Sequence, residues 1–225
     1  MRGWLKVTVG LVALSGLLVG ADRIAVGVAE GEVADQLVKH GVLTQRPRVS
    51  IEGFPFLTQA LSMKLDDVRL SADGLMVGDG RQQVALHSFT ARLSGVEVSD
   101  SFNSATVASG TGDGLITYAD LSRILPEVSG ARLSLSYGGP GKVKASLGSV
   151  PVGEGTVHAK GNTVTADGFQ LTGVASLLNV MANQKLGPFA FSLRDLPAGL
   201  DLAEAAPQPE GVRLTFRGTG LKLTG

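Results

Sequence analysis

Apolar and polar residues alternate with a period of two over most of the chain after residue 60, which is the pattern of half-buried β-strands. Two hairpins are predicted, one over residues 131–147 with a four-residue loop and one over residues 157–166 with a Gly-Asn turn. Residues 189–193 and 212–223 show the same alternation and are predicted strands. The intervening residues 205–210, which contain proline and glutamine, are interpreted as a loop.

The alternation changes phase at three places, residues 66–67, 87–88 and 94–95. A strand keeps its apolar side chains on one face only if an extra residue absorbs each change, so β-bulges are predicted there. Long strands with bulges bend, and a rolled or tubular sheet requires such strands. The pattern therefore favours a β-rich fold with long, curved strands.

Three segments have helical patterns instead. Apolar residues recur every three or four positions over residues 22–40, with Gly41 where a helix would end. The segment Thr117-Tyr-Ala-Asp120 has the spacing of a capping box, which predicts the start of a short helix. Residues 174–185 are predicted to form the third helix, with its apolar residues on one side.

The N-terminal segment has the composition of an export signal. Arg2 and Lys6 precede residues 7–21, which carry no charge and end in small residues. Residues 1–21 are therefore predicted to be a signal peptide or a signal anchor, and residues 22–225 a single domain on the outer side of the cytoplasmic membrane. The expected location is the cell envelope, with the protein anchored by this segment or secreted after its cleavage.

Composition limits the possible chemistry. The formal net charge is zero and no cluster of Lys or Arg occurs, so nucleic acid is not an expected partner. Cysteine is absent, which excludes disulfides and thiolate catalysis. The three histidines, His40, His87 and His158, lie far apart and lack the spacing of a metal site. No catalytic residue, metal or cofactor is expected.

Two motifs resemble functional elements only superficially. Gly110-Thr-Gly-Asp-Gly114 lacks the Lys-Ser/Thr ending of a P-loop, and it is interpreted as a turn between strands. Asp66 and Asp67 are adjacent, but neighbouring strand residues point to opposite faces. They are therefore interpreted as a solvated bulge and not as a catalytic dyad.

An unusual apolar corner follows the predicted N-terminal helix. Phe54, Phe56 and Leu57 place three large apolar side chains on a turn that Pro55 stiffens. Turns are usually polar. Two interpretations fit: a loop that closes one end of a core, or the lip of an apolar cavity that meets a membrane.

The order of elements resembles a known family. The motifs concerned are the strand at 49–51 that enters Gly53-Phe-Pro-Phe-Leu-Thr-Gln59, Leu65-Asp-Asp-Val-Arg-Leu70, Thr117-Tyr-Ala-Asp-Leu121, and the ending from Leu196-Pro197 to Gly211-Val-Arg-Leu214. Together they resemble the actinobacterial LmeA-like phospholipid-binding family. The resemblance implies an exported β-rich α+β protein whose long, highly curved antiparallel sheet wraps around helices and encloses an elongated apolar cavity, similar to the tubular lipid-binding folds. The family is also associated with maintenance of envelope lipoglycans.

The expected function is to hold or carry a phospholipid in an apolar channel near a membrane surface. Only scattered cations such as Arg69, Arg92 and Arg132 are available to a headgroup, so the acyl tails are expected to dominate affinity. The candidate lipid-contacting residues are apolar positions of the corner, the strands and the helices: Phe54, Phe56, Leu57, Leu65, Val68, Leu70, Leu86, Phe89, Leu93, Leu121, Leu125, Leu177, Leu178, Met181, Phe189 and Phe191.

Two alternative functions stay open on the sequence. A lipid or glycolipid hydrolase would need a nucleophile and a base, for which Ser104, His87 and Asp120 have suitable side chains but no supporting spacing. A non-enzymatic adaptor would bind an envelope protein at a sheet edge instead.

Overall fold

The structure, a computed structural model, describes residues 2–39, 45–78, 83–99, 104–125, 127–128, 131–171, 188–193 and 196–224. The helices within these residues are α1 (Arg2–Lys39), α2 (Phe56–Leu61) and α3 (Tyr118–Arg123). The strands are β1 (Arg48–Glu52), β2 (Lys64–Ala72), β3 (Leu75–Gly78), β4 (Gln83–Leu86), β5 (Ser88–Val98), β6 (Ser104–Thr117), β7 (Glu127–Val128), β8 (Ala131–Gly139), β9 (Lys142–Leu147), β10 (Val150–Lys160), β11 (Thr163–Leu171), β12 (Phe189–Ser192), β13 (Ala198–Gln208) and β14 (Gly211–Thr224).

The strands form two six-stranded antiparallel sheets and a two-stranded pair. The first sheet has the order β1-β2-β5-β6-β14-β13, the second has the order β12-β11-β10-β9-β8-β7, and β3 pairs with β4. The protein is β-rich, with few helices and a curled, half-barrel antiparallel sheet, as the sequence predicts. Both predicted hairpins are confirmed as β8-β9 and β10-β11, but the first turns on two residues, 140–141, and not on the predicted four, because the first two glycines of the predicted loop belong to β8.

The strand register separates the two faces of the first sheet. Directly paired residues point to the same face, so Ile51, Val68 and Leu93 share one face, and Phe216 of β14 lies on it as well. We call this the inner face. Ile51 and Val68 pack there against α1, while Phe216 packs in a cluster that also contains Val157 and Phe191 of the second sheet. The inner face of the first sheet thus packs against α1 near one end of the sheet and against the second sheet near its other end.

The segment Gly110-Thr-Gly-Asp-Gly114 is not a turn, so that prediction is wrong. It lies in the middle of β6, and its three glycines are buried on the inner face. A Cβ on Gly110 would lie 2.6 Å from Leu221 Cδ1, and one on Gly114 would lie 3.0 Å from Leu86 Cδ1. The missing side chains let large neighbours fold over the central strand, which allows the sheet to curl.

The predicted β-bulges are also wrong in position. Strands β2, β5 and β6 pair without a register offset, and the phase change at 87–88 falls between the end of β4 and the start of β5. At 94–95, Gly95 has φ +64°, which turns the strand so that Leu93 and Val96 reach the same apolar cluster. Register shifts occur instead where β8 pairs with β9, where β10 pairs with β9 and with β11, and where β13 pairs with β14.

Residues 205–210 are mostly strand and not a loop. Residues Ala205 to Gln208 belong to β13, and the turn to β14 uses only two residues. Proline interrupted the expected strand pattern, but Pro207 is tolerated because β13 is an edge strand of the first sheet and pairs only with β14.

The N-terminal helix is longer than its predicted part at 22–40. Helix α1 runs without a break from Arg2 to Lys39, so it includes the uncharged residues 7–21. Among the described residues, no helix has the length and apolar character needed to cross a membrane.

Candidate functional site

An apolar pocket of about 250 Å³ lies between α3, the second sheet and the start of β14. All of its lining residues have hydrocarbon side chains. They are Leu121, Ile124, Leu125, Leu135, Val143, Val157, Val164, Ala166, Pro188, Phe189, Ala190, Phe191 and Val212. An apolar cavity of about 150 Å³ is enough to hold one benzene molecule, so this pocket has room for a longer piece of hydrocarbon.

Helix α3 forms one wall of the pocket because its start is fixed by a capping box, as predicted. The Asp120 N–H donates to Thr117 Oγ1 at 3.1 Å, and the Thr117 hydroxyl donates to Asp120 Oδ2 at 2.6 Å. The apolar positions Leu121, Ile124 and Leu125 then recur at helical spacing and line the pocket.

Two further hydrogen bonds hold α3 against both sheets. The Leu135 N–H of β8 donates to Ser122 Oγ at 2.9 Å, which ties the helix to the second sheet. The Tyr118 hydroxyl donates to the Gln208 carbonyl oxygen at 2.7 Å, which ties it to β13. Burial raises the pKa of Tyr118 to about 12, so this hydroxyl stays a donor throughout the neutral range.

The floor of the pocket comes from paired strand positions. Val157 lies opposite Ala166, and Val164 lies opposite Phe191, so these residues point to one face of the second sheet. The small side chain of Ala166 leaves space that a larger residue at this position would fill.

The structure brings together only some of the predicted lipid-contacting residues. Leu121, Leu125, Phe189 and Phe191 line the pocket. Leu86 and Phe89 belong to the core cluster that contains Leu121 and Phe191, but they do not line the pocket. Most residues of the pocket floor and walls are not among the predicted lipid-contacting residues. Strand alternation does place four of them in the two predicted hairpins, namely Val143, Val157, Val164 and Ala166.

Other predicted residues lie elsewhere. Leu65, Val68 and Leu93 pack in a separate cluster with Val96, Val107 and Leu221. Leu70 is half-buried on the inner face of β2. Leu177, Leu178 and Met181, with the predicted helix 174–185, lie outside the described residues.

The Phe54 to Leu57 corner is divided between core and surface. Phe56 begins α2 and is buried with Val26 and Ile51, whereas Phe54 is 62% exposed and Leu57 is also exposed. None of the three lines the apolar pocket.

The cations considered for headgroup recognition lie on the strands. On the outer face of the first sheet, Arg69 Nη1 lies 2.9 Å from Glu52 Oε1, and Arg92 Nη2 lies 3.0 Å from Asp67 Oδ2. The hydrogen bond from Arg92 lowers the pKa of Asp67 to about 2. Arg132 is an exposed residue of β8. Asp67 is therefore an ion-pair partner within a regular strand, and not part of a bulge.

The side chains considered for hydrolysis do not meet. The His87 N–H donates to the Leu115 carbonyl oxygen near one end of β6, whereas Ser104 starts that strand. Positions 104 and 115 are eleven steps apart along β6, which is about 36 Å in an extended strand. In the described part of the chain, no group of three His, Cys, Asp or Glu side chains could hold a metal ion.

The described part of the chain thus forms a β-rich protein with a curled antiparallel sheet and a pocket lined by hydrocarbon side chains. A family model described as LmeA-like phospholipid-binding matches residues 20–217, and the chain belongs to this family. The family is one of binding proteins and not of catalysts. No curated protein and no solved structure matches the chain.

Proposed function

We propose that the protein binds a phospholipid by taking part of one acyl chain into the apolar pocket. The observation that carries this proposal is the lining itself, which consists of residues with hydrocarbon side chains and includes no charged group to hold a headgroup. Each buried methylene contributes about 0.8 kcal/mol, so a chain segment is a sufficient source of affinity. Membership of a phospholipid-binding family supports the choice of ligand.

The pocket accommodates a piece of one tail and not a whole lipid. Six carbons in about 150 Å³ scale to about ten carbons in this pocket. The remaining hydrocarbon follows the inner face of the first sheet toward the cluster of Val96, Val107 and Leu221, where Leu200 adjoins both this cluster and the main core. This path is our proposal for the elongated channel that the sequence leads us to expect.

The proposed place of action is the cell envelope, outside the cytoplasmic membrane. The basic residues Arg2 and Lys6 before an uncharged stretch support export of a single lipid-binding domain over residues 22–225. In this role the protein holds or carries lipid for maintenance of the envelope. Removal of residues 1–21 would leave Asp22 as the first residue, which N-terminal sequencing of the exported protein detects.

The substitution Ala166→Leu tests the pocket directly. It places extra carbons into the space that the tail would occupy, and each methylene excluded costs about 0.8 kcal/mol. Binding of a fluorescent acyl-chain probe should therefore weaken by about tenfold or more. Ala159→Leu is the matched control, because Ala159 lies in the neighbouring strand β10, packs on the same core and does not line the pocket.

Thermal unfolding of both variants verifies that the fold survives. Equal loss of binding in the two variants, or unchanged binding in Ala166→Leu with the fold intact, would contradict the proposal.

A further inference from the structure

Helix α2 presents an apolar face to solvent. Leu57 and Leu61 are four residues apart and therefore share one side of the helix, and Leu61 is 88% exposed. The exposed ring of Phe54 immediately precedes this helix. We call Phe54, Leu57 and Leu61 the α2 face.

The opposite side of α2 is firmly attached to the protein. Phe56 is buried, and the buried Gln59 side chain donates to the Glu52 carbonyl oxygen at 3.3 Å and accepts from the Asp66 N–H at 2.8 Å. Asp22 of α1 accepts from the Leu57 N–H at 2.8 Å. These contacts already hold α2 on the protein, so the helix can keep its place while the α2 face stays exposed to solvent.

The α2 face adjoins the uncharged part of α1. Asp22, which binds the start of α2, directly follows residues 7–21. Leu17 and Leu18, less than two turns before Asp22, are 71% and 60% exposed. The half-exposed guanidinium of Arg23, which also donates to the Asp22 carboxylate, lies 5.4 Å from the centre of the Phe54 ring, so a cation lies beside the aromatic side chain.

We propose that the α2 face and the adjoining residues of α1 contact a lipid bilayer, with Phe54 and Leu61 at the boundary of headgroups and acyl chains. Apolar side chains beside an arginine suit this boundary, since the cation meets lipid phosphate while the apolar groups enter hydrocarbon. Residues 7–21 of α1 carry no charged side chain, which also suits contact with hydrocarbon. The choice of a bilayer rests on the proposed phospholipid function.

The absence of cysteine makes the test specific, because one introduced cysteine carries the only label. Full-length Leu61→Cys and Val150→Cys proteins are labelled with an environment-sensitive fluorophore and mixed with vesicles of phosphatidylcholine and phosphatidylglycerol. Val150 is the matched control, since it is an exposed apolar residue of β10 in the second sheet.

The label at position 61 should brighten several-fold on addition of vesicles and be quenched by doxyl groups on the acyl chains, whereas the label at 150 should do neither. Equal responses at both positions, or no response at 61, would overturn the proposal. So would brightening at 61 that follows protein concentration without vesicles, because this indicates contact with a second copy of the chain.

A parallel measurement separates this inference from the pocket proposal. If Ala166→Leu leaves acyl-probe binding intact while the label at 61 enters vesicles, the pocket proposal fails and bilayer contact stands. If Leu61→Ser binds a monomeric short-chain lipid normally and the label at 61 does not enter vesicles, bilayer contact fails and the pocket proposal stands.

Discussion

The carboxylate of Asp22 accepts a hydrogen bond at 2.8 Å from the backbone N–H of Leu57, 35 residues later in the chain. This contact joins α1 to the start of α2, where Pro55 supplies no side-chain cap. Burial acts to raise the pKa of Asp22, but hydrogen bonds from Leu57, Arg23 and Phe56 outweigh it, and the net pKa is lowered.

We expect Asp22→Ala to destabilise the protein more than Asp22→Asn, because asparagine keeps an oxygen acceptor for the Leu57 N–H. The pKa of Asp22 is lower in the folded state than its ordinary value of 3.8, so its contribution to stability is present above pH 4 and lost as pH falls through the folded value. Thermal unfolding between pH 7 and pH 3 measures both effects. A melting temperature that falls equally in wild type and Asp22→Asn over this range would contradict the prediction for the charge.

A second prediction concerns the glycines of the curled sheet. A Cβ on Gly218 would lie 2.2 Å from the Gly199 carbonyl oxygen, so Gly218→Ala should cost about 1–3 kcal/mol or more of the free energy of unfolding. In Gly112→Ala the nearest atoms lie 3.5 Å from the Cβ, and the cost should be far smaller. Gly110→Ala should fall between them, because its 2.6 Å contact is with the flexible end of Leu221. Chemical denaturation gives the order, and equal losses at 112 and 218 would contradict this account of the curl.

The ion pair on the outer face gives a third prediction. Replacement of Arg92 by Gln should raise the pKa of Asp67 from about 2 toward 3.8, because the hydrogen bond from Arg92 is the largest cause of the lowered value. Arg69→Gln is the matched control and should have a smaller effect, since Arg69 acts only through its charge. Carboxyl NMR titration measures both. In the wild type, the contribution of this carboxylate to stability should be lost as pH falls from 4 to 2. The same pKa in both variants would show that Arg92 has no special role.

The fourth prediction is how affinity depends on the parts of the lipid. Lengthening the acyl chain should tighten binding steeply up to about ten carbons, for which the pocket has room, and by less per methylene beyond that length, where the tail follows the inner face of the first sheet. Headgroup changes and added salt should have weak effects, since screening acts on exposed charges and not on apolar burial. Competition binding with lipids varied one part at a time measures these dependences. Strong selectivity for one headgroup at constant tails, or a large loss in high salt, would contradict the account.

Local patterns predicted local structure well. The hairpins at β8-β9 and β10-β11 and the capping box at Thr117 depend on residues close in sequence, and each is confirmed. The glycines at 110–114 fit a turn equally well in the sequence, because glycine is the residue of both turns and sharply bent strands. The large side chains that pack over β6, such as Leu221 and Leu86, distinguish a bent strand from a turn, and they are distant in the sequence.

The candidate site was harder to predict for a physical reason. Alternation shows that Val157 and Ala166 share a face, but not whether that face meets another side chain or an empty space. At the apolar corner, a helix begins at Phe56 and each residue advances by about 100°, so Phe56 turns inward and Leu57 outward. Leu61, the most exposed of the large apolar residues described, fits a strand alternation with Met63 and Leu65 in the sequence, but the structure places it in α2.

Photo-cross-linking tests the central claim most directly. A phospholipid with a diazirine near the end of one acyl chain is bound to the full-length protein, irradiated and located by peptide mass spectrometry. The account predicts adducts on the pocket wall at Leu121, Ile124 and Leu125 and on the floor at Val157, Val164 and Ala166. These adducts should be lost in Ala166→Leu but not in Ala159→Leu. Adducts confined to residues outside the pocket, with the same pattern in both variants, would contradict it.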